Sequence, residues 1–188
     1  MDALRHGWPL AFEGGPVLLP VETAIAQGAQ AERMLISAAR AVTLKLANQR
    51  EAAVPHAPVL ILGGEPFSLR SALPVADPAL DLGNPLKGPF KAMGLDWAET
   101  AAAALELARI AGILPAFLVD PQPCGEAVGV SAADLAGWKD TAQLSIAARA
   151  RLPVAAAEHA QIVAFRSADD LREHVALVIG TQSSDRPP

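Results

Sequence analysis

The sequence predicts an α/β fold (in the broad sense that includes α+β), built on a mixed sheet with packed helices. The clearest helix spans residues 97–111, where small and apolar side chains recur on one face and Gly112 follows as a terminator. A short loop through Pro115 then leads to the apolar run Ala116–Val119. A helix, a glycine, a short loop and a strand in that order form the second half of an α/β unit. Further β-rich runs within residues 144–180 predict the first strands of a second sheet.

The composition is typical of a protein with a packed core. Its 188 residues suit one domain, or one domain and part of another, and hydrophobic residues make up 52% against 19% charged. The net charge of −5, without a basic cluster, argues against a nucleic-acid partner. Cys124 is the only cysteine, which excludes an internal disulfide and favours a reducing compartment. No apolar run is long enough to span a membrane and no signal peptide is recognised, so we expect a cytoplasmic protein.

The first fifty residues predict a hairpin, a helix and a further strand. Trp8–Phe12 and Pro16–Pro20 are apolar runs on either side of a glycine turn, which is typical of two strands joined by a hairpin. Residues 23–39 place apolar side chains at helical spacing despite Gly28, and so predict an amphipathic helix. Val42–Leu46 alternates apolar and polar residues, which predicts a half-buried strand.

The middle of the chain changes character after the apolar run Pro58–Leu62. That run predicts a strand ending at Gly63-Gly64. Prolines recur between residues 63 and 96 and break any long helix, so this segment is expected to be irregular with at most short elements. An irregular stretch of this length is typical of a binding loop or of a degenerated segment.

Two helix starts are predicted from capping residues. Asp96, with Glu99 three residues on, has the pattern of a capping box at the start of the long helix. Ser131, at the end of the predicted strand Val128–Ser131, is expected to cap a short helix over residues 132–138. A domain boundary is expected directly after that helix.

The C-terminal stretch alternates β-rich runs with polar turns. It contains LSIAARARLPV, then the apolar run Ala160–Phe165, a charged turn at Ser167–Arg172, and HVALVIG. A sheet of two or three strands is marginal alone, so this stretch predicts the start of a larger sheet. Its unpaired edges favour aggregation or dimerisation by edge pairing.

The segments RLPV, IVAFRS and REHVALVIG resemble the beginning of the GTP cyclohydrolase II domain. In that family the next strand leads to an Arg-x-His-Ser-Glu-Cys segment and to further cysteines that bind zinc, and this sequence contains neither. The resemblance implies that these strands open a domain cut before its zinc- and GTP-binding residues. The implied parent reaction is zinc-dependent opening of the GTP imidazole ring with loss of formate and pyrophosphate, the first committed step to riboflavin.

The front of the chain carries a second resemblance. LELARIAGILPAFLV looks like the late helix–strand unit of 3,4-dihydroxy-2-butanone 4-phosphate synthase, and VGVSAADLAGW resembles the linker of the fused riboflavin-biosynthesis enzymes. RHGWPLAFEGGPVLLPVETA has the same order of elements as the synthase. The resemblance implies a synthase-like domain over residues 1–140, the start of a cyclohydrolase domain over residues 141–188, and a homodimer.

The chain departs from the synthase at each position that carries its chemistry. The family holds two Mg²⁺ ions with an acidic loop, Arg-Glu-Asp-Glu-x-Glu-Gly-Asp, where this chain offers only Glu13 before two glycines. The family's Gly-His-Thr-Glu falls on residues 99–102, which are Glu-Thr-Ala-Ala, and its late catalytic glutamate falls on Pro121, next to Asp120. We therefore expect no synthase activity, and no catalytic, metal or cofactor residue in this chain. Zinc and GTP are expected only for the complete parent enzyme.

Two lysines are the candidate phosphate ligands. Lys87 and Lys91, in the segment KGPFK, are the one place where a phosphate group could meet two cations, and exposure to solvent is the competing interpretation. Other polar features favour structural roles. These are the glycines at 63–64 and 83–88, which predict turns, and the acidic residues Asp169, Asp170 and Glu173, which predict an exposed turn.

A thiol–imidazole pair is the other candidate for chemistry. Cys124 could in principle act with His159 or His174, but no spacing marks either pair. The favoured interpretation is that Cys124 is an ordinary loop residue and that the histidine is a strand residue without further ligands near it in the sequence.

Two other classes of function remain open. One is a stand-alone dimerisation or assembly module, and the feature to watch is the helix at residues 97–111, which is apolar nearly all round and must be buried against something. The other is a residual sugar-phosphate or nucleotide binder that uses Lys87 and Lys91. Ligand-dependent thermal stabilisation would mark the binder, and stabilisation that depends only on protein concentration would mark the module.

Overall fold

A seven-stranded sheet and a separate three-stranded sheet organise the computed structural model. The structure describes residues 2–26, 28–131, 134, 144–153, 155, 157, 159–167 and 173–180. Contacts divide the chain into two units, Met1–Leu135 and Ala136–Pro188, and each unit carries one of the sheets. The fold is a mixed α/β arrangement, which confirms the predicted class at this level.

The first unit holds seven strands, four α-helices and two short 3₁₀ helices, Arg50–Ala52 and Pro78–Leu80, among its described residues. The strands are Leu10–Phe12 (β1), Val17–Pro20 (β2), Gln30–Ile36 (β3), Val59–Ser68 (β4), Lys91–Met93 (β5), Ala116–Val119 (β6) and Val128–Val130 (β7). The helices are Asp2–Arg5 (α1), Ala38–Thr43 (α2), Leu69–Ala76 (α3) and Ala98–Ala111 (α4). The strand order is β5-β4-β3-β6-β2-β1-β7, with β1 and β7 parallel and the other neighbours antiparallel.

Apolar clusters cover both faces of the larger sheet. Met34 of β3 and Leu118 of β6 belong to the cluster that also holds the buried side of α3. Leu35 and Phe117, their neighbours along the same strands, belong to the cluster that holds the buried side of α4. Successive strand residues point to opposite faces, so the central strands are apolar without alternation because both of their faces are buried.

Helix α4 and strand β6 confirm the helix–strand unit predicted from the sequence. Gly112 ends the helix with φ 75°. The predicted apolar stripe is buried, and it consists of Ala101, Ala104, Leu105, Ala108 and Ala111. The predicted capping box is wrong. Trp97 occupies the N-cap position and makes no side-chain hydrogen bond there, because the helix begins at Ala98 and Asp96 lies one residue too early to cap it.

The helix predicted over residues 23–39 is wrong, because this segment contains strand β3. Gly28 has φ 88°, a left-handed conformation that interrupts a helix. Beyond it, β3 lies between β4 and β6 and bonds to both. Tertiary hydrogen bonding and burial on two faces therefore override the local helical spacing of the apolar residues.

The strand predicted at Val42–Leu46 is also wrong. Helix α2 occupies Ala38–Thr43, and its N-cap Ser37 accepts a hydrogen bond from the Arg40 amide at 3.2 Å. The Ser37 cap starts a helix before the residues that alternate between apolar and polar. The helical preference set by this cap is stronger than the strand preference of so short an alternation.

The segment from residue 63 to 96 is more regular than the sequence predicts. Strand β4 continues through Gly63-Gly64 to Ser68, and helix α3 follows directly. A reciprocal capping box between Ser68 and Ser71 starts this helix, which tolerates Pro74 in its sixth position while burying Ala72, Val75 and Ala76. Burial of that apolar face offsets the hydrogen bond that the proline cannot donate.

The second unit carries the predicted C-terminal strands. They are Leu144–Arg151 (β8), Gln161–Ser167 (β9) and Glu173–Val178 (β10), in the antiparallel order β10-β9-β8. The charged turn at residues 168–172 and most of the helix predicted at 132–138 lie outside the described residues. The predicted division at residue 140 also stays a prediction, since residues 135–143 are not described. None of the described helices is long and apolar enough to cross a membrane.

Candidate functional site

A cleft of about 740 Å³ lies where β4 passes into α3. Its walls come from residues 63–68 of β4, from one side of α3 between Arg70 and Val75, and from the segment 84–90. Phe67 and Phe90, both lining residues, stack with their ring centroids 6.0 Å apart. Arg70 is an exposed cation on the α3 wall. The cleft therefore combines an aromatic pair with two exposed side chains of opposite charge, Arg70 and Glu65.

Lys87, one of the two predicted phosphate ligands, lines this cleft but is only 10% exposed. Its ammonium group pairs with the carboxylate of Asp81. Arg40 binds the same carboxylate with two nitrogens, Nη2 to Oδ1 at 2.7 Å and Nη1 to Oδ2 at 2.9 Å. Hydrogen bonds from Arg40 and then from Lys87 hold the pKa of Asp81 well below its ordinary value. The ammonium group of Lys87 is thus already bound to an internal carboxylate, which it shares with Arg40.

Arg40 is the residue that holds this ion cluster in place. Its guanidinium is buried and donates to the carbonyl oxygens of Val75, at 2.5 Å, and Pro74, at 3.1 Å. These bonds tie α2 to the end of α3, and the bond to Asp81 ties both to the loop that leads to Lys87. Sequence reasoning missed Arg40 and Asp81. No local sequence pattern indicates that they pair, because the two residues lie 41 positions apart.

Lys91, the second predicted phosphate ligand, lies on the edge strand β5 opposite Leu62. It is exposed, and it is not among the residues that line the cleft. Arg70 is the cleft cation that the sequence analysis did not single out. A phosphate site built on Lys87 and Lys91 together stays a prediction.

Asp120, next to the position of the family's late catalytic glutamate, is engaged in structural contacts. It directly follows β6 with φ 50°. Its Oδ1 accepts a hydrogen bond from the Val17 amide at 3.0 Å, and its Oδ2 pairs with Arg33 Nη2 at 2.8 Å. One side chain thereby joins strands β2, β3 and β6. A hollow of about 440 Å³ adjoins this pair.

The Cys124 thiol lies close enough to Asp120 to be affected by it. Burial first, and the Asp120 charge second, raise the pKa of the thiol. A raised pKa keeps the sulfur protonated and weakens it as a nucleophile. Cys124 belongs to the first unit, whereas His159 and His174 belong to the second. The thiol–imidazole pair gains no geometric support.

The described residues do not offer a metal site. No group of three or more His, Cys, Asp or Glu side chains in the described part of the chain is placed to hold an ion. The turn between β1 and β2 offers Glu13 as its one carboxylate before Gly14 and Gly15. Neither the zinc of the cyclohydrolase family nor the magnesium pair of the synthase fits these residues, so no step through a metal is assigned to them.

Fold and contacts together define a two-unit mixed α/β protein with a cleft and an internal ion cluster in its first unit. The chain is 31% identical over 126 residues to GTP cyclohydrolase-2 from Azospirillum brasilense, a match that covers 60% of this chain and 33% of the relative. The matched part therefore spans about a third of that relative's length. No family model matches the sequence, and no solved structure matches it. Over the matched residues, the chain is distantly related to GTP cyclohydrolase-2.

Proposed function

We propose that this chain is a non-catalytic part of a GTP cyclohydrolase II of riboflavin biosynthesis. The observation that carries the proposal is its 31% identity over 126 residues to GTP cyclohydrolase-2. In this proposal residues 1–140 are a degenerate 3,4-dihydroxy-2-butanone 4-phosphate synthase-like domain. Residues 141–188 supply the first strands of the cyclohydrolase domain, and the parent enzyme is a cytoplasmic homodimer.

The loss of synthase chemistry is supported by what the remaining acidic residues do. Asp120 is held by Arg33 and by the Val17 amide, so its carboxylate orders three strands. The β1–β2 turn offers one carboxylate, and a pair of Mg²⁺ ions needs several. In this proposal the first unit acts as a scaffold for its neighbour, and GTP ring opening requires zinc ligands that the described residues do not supply.

An activity assay tests the proposal. The 188-residue chain and the complete product of the natural reading frame that encodes it are each loaded with zinc and given GTP. We expect formate and pyrophosphate release from the complete product and none from the chain alone. A folded, zinc-loaded complete product that leaves GTP intact would contradict the proposal.

A second candidate function is the binding of a small phosphorylated ligand in the cleft between β4 and α3. The supporting observation is Arg70, an exposed cation on a wall that also holds a stacked aromatic pair. Arginine binds phosphate through two parallel hydrogen bonds. Phe67 is buried in the core, so the partly buried Phe90 is the ring of this pair that could meet a ligand.

Thermal unfolding with ribose 5-phosphate or GTP as the probe tests this candidate. We expect the ligand to raise the melting temperature of the natural chain and of Lys91→Gln, which lies outside the cleft. The shift should disappear in Arg70→Gln. An equal shift in both variants, or no shift in the natural chain, would exclude ligand binding in this cleft.

A further inference from the structure

We propose that Lys87 acts with Arg70 to bind the phosphate group of a phosphate monoester in the cleft between β4 and α3. The inference rests on the second candidate function above, because it assigns a second cation to the ligand of that cleft. Lys87 belongs to the wall formed by residues 84–90, and Arg70 belongs to the wall formed by α3. A phosphate group that contacts both therefore meets one cation from each wall.

The ion cluster that holds Lys87 contains more positive than negative charge. Arg40 and Lys87 both bind Oδ1 of Asp81, and in the described part of the chain this is the one carboxylate that forms an ion pair with either of them. Asp77 contacts Arg40 through its backbone carbonyl, and its own carboxylate accepts the Ala79 amide at 2.8 Å. Two cations on one carboxylate leave one positive charge, which an anionic ligand can compensate.

Asp81 stays paired when Lys87 also binds a ligand. Arg40 contacts both oxygens of the Asp81 carboxylate, with its Nη2 2.7 Å from Oδ1 and its Nη1 2.9 Å from Oδ2. The ammonium group of Lys87 has three donors on a rotatable bond, and the hydrogen bond to Asp81 Oδ1 uses one of them. Lys87 can therefore donate to a phosphate oxygen while the carboxylate keeps its arginine partner.

Burial makes Lys87 a stronger attractor of anions than Lys91. The Lys87 side chain is 10% exposed, whereas Lys91 is exposed and lies outside the cleft. Water and salt screen a partly buried charge less than an exposed one. Among the described residues that line the cleft, Glu65 is the one carboxylate against the two cations Arg70 and Lys87, so the lining carries a net positive charge. An anionic ligand is therefore favoured over a neutral or cationic one.

Isothermal titration calorimetry with ribose 5-phosphate tests the inference on the full chain. Each protein is titrated at a temperature at which circular dichroism shows that it is folded. Lys87→Gln should raise the dissociation constant by about tenfold, the change expected from one lost charge-assisted hydrogen bond. Asp81→Asn should lower it by about threefold, because it removes a negative charge close to the bound phosphate. Lys91→Gln is the control outside the cleft and should leave it unchanged.

The opposite signs of the first two changes distinguish a phosphate ligand from a structural residue. If Lys87 only holds Asp81 in place, both substitutions should weaken binding or neither should change it, and either result overturns the inference. Equal weakening by Lys87→Gln and Lys91→Gln also overturns it. Binding that is lost in Arg70→Gln and unchanged in Lys87→Gln overturns this inference and leaves the candidate function standing. A natural chain that binds no ribose 5-phosphate overturns both.

Nuclear magnetic resonance of the lysine Nζ groups covers the case in which a variant of the ion cluster fails to fold, because it uses the natural chain. Addition of ribose 5-phosphate should shift the Nζ resonance of Lys87 with the dissociation constant that calorimetry gives. The resonance of Lys91 should stay in place. A Lys87 resonance that does not move at saturating ligand, or shifts of equal size at both lysines, contradicts phosphate binding by Lys87.

Discussion

Arg40 and Asp81 lie 41 residues apart in the sequence and meet in a two-pronged ion pair with distances of 2.7 and 2.9 Å. The arginine side chain is 6% exposed and the aspartate side chain 40%. A buried guanidinium needs partners for its donors, and here they come from Asp81 and from the carbonyl groups at the end of α3. The pair therefore connects the buried side of the cleft wall to the loop that leads to Lys87.

Replacing Arg40 should destabilise the first unit strongly. Arg40→Met leaves the carbonyl oxygens of Pro74 and Val75 without their side-chain donors and removes one cation from Asp81. We expect the free energy of unfolding to fall by about 3 kcal/mol, the size typical of breaking a buried charged network. Urea denaturation measures this change in the free energy of unfolding. Arg50→Met, at an exposed arginine, is the control and should change the value by less than about 0.5 kcal/mol.

The Asp81 cluster should also shape acid unfolding. The pKa of this carboxyl is lowered in the folded state by Arg40 and Lys87. Its contribution to stability is therefore fully present above the unfolded-state pKa, near 3.8, and is lost as the pH falls towards the folded-state value. Asp81→Asn should unfold at a lower temperature than the natural chain at neutral pH, and the difference should shrink on acidification.

Melting curves recorded from neutral to acidic pH measure this difference. The exposed Asp96 supplies a matched control, because Asp96→Asn removes the same charge outside the ion cluster. A difference between Asp81→Asn and the natural chain that stays constant with pH would argue against the ion pair as its source.

Substitutions can separate the left-handed backbone conformation of Asp120 from the contacts of its side chain. Its backbone has φ 50°, and its side chain accepts the Val17 amide and pairs with Arg33. Asp120→Ala should be the most destabilising change, because it removes both contacts and keeps a Cβ in the left-handed region.

Related variants resolve the contributions of backbone and side chain. Asp120→Gly should recover about 1 kcal/mol relative to the alanine variant, since glycine relieves the backbone strain. Asp120→Asn keeps an acceptor for Val17 and loses only a half-exposed ion pair, so its cost should be about 1 kcal/mol or less. Chemical denaturation measures the stability of the three variants. An alanine variant as stable as the glycine variant would show that the backbone of Asp120 is not strained.

Helix α4 packs closely through its small residues. Ala108 is fully buried in the cluster that holds Leu35 and Phe117. Ala108→Leu inserts extra atoms into a filled space, and we expect a loss of about 1–3 kcal/mol. Ala102→Leu makes the same change on the exposed side of the helix and should be nearly neutral. Similar losses in the two variants would show that the predicted packing face is wrong.

A helix or strand could be predicted from the sequence where its own residues specify its periodicity and its ends. Helix α4 was predictable because buried alanines recur at helical spacing and Gly112 supplies a left-handed terminator. The β1–β2 hairpin was predictable because two apolar runs flank a glycine turn. Strand β3 was not, because its apolar residues fit a helix as well as a strand until β4 and β6 provide partners on both sides.

The candidate site was predictable only in part for the same reason. Lys87 does line the cleft, but its ammonium group is bound by Asp81, and Lys91 lies apart on β5. Arg70 lines the cleft as an exposed cation, although nothing around it in the sequence marks it out. Spacing along the chain shows which charges are near in sequence, but it does not show that Lys87 binds Asp81 or that Lys91 lies apart from the cleft.

By itself, the sequence determined the α/β class, the helix–glycine–strand unit at α4 and β6, and the three C-terminal strands, because each depends on residue periodicity and turn chemistry that are local. Only the tertiary structure decided that β3 is a strand, that Arg40 is buried against α3, and which cations face the cleft. Those outcomes depend on hydrogen bonds and ion pairs between segments that lie tens of residues apart, such as Arg40 and Asp81. The energy of such contacts appears only when the chain has brought both partners out of water together.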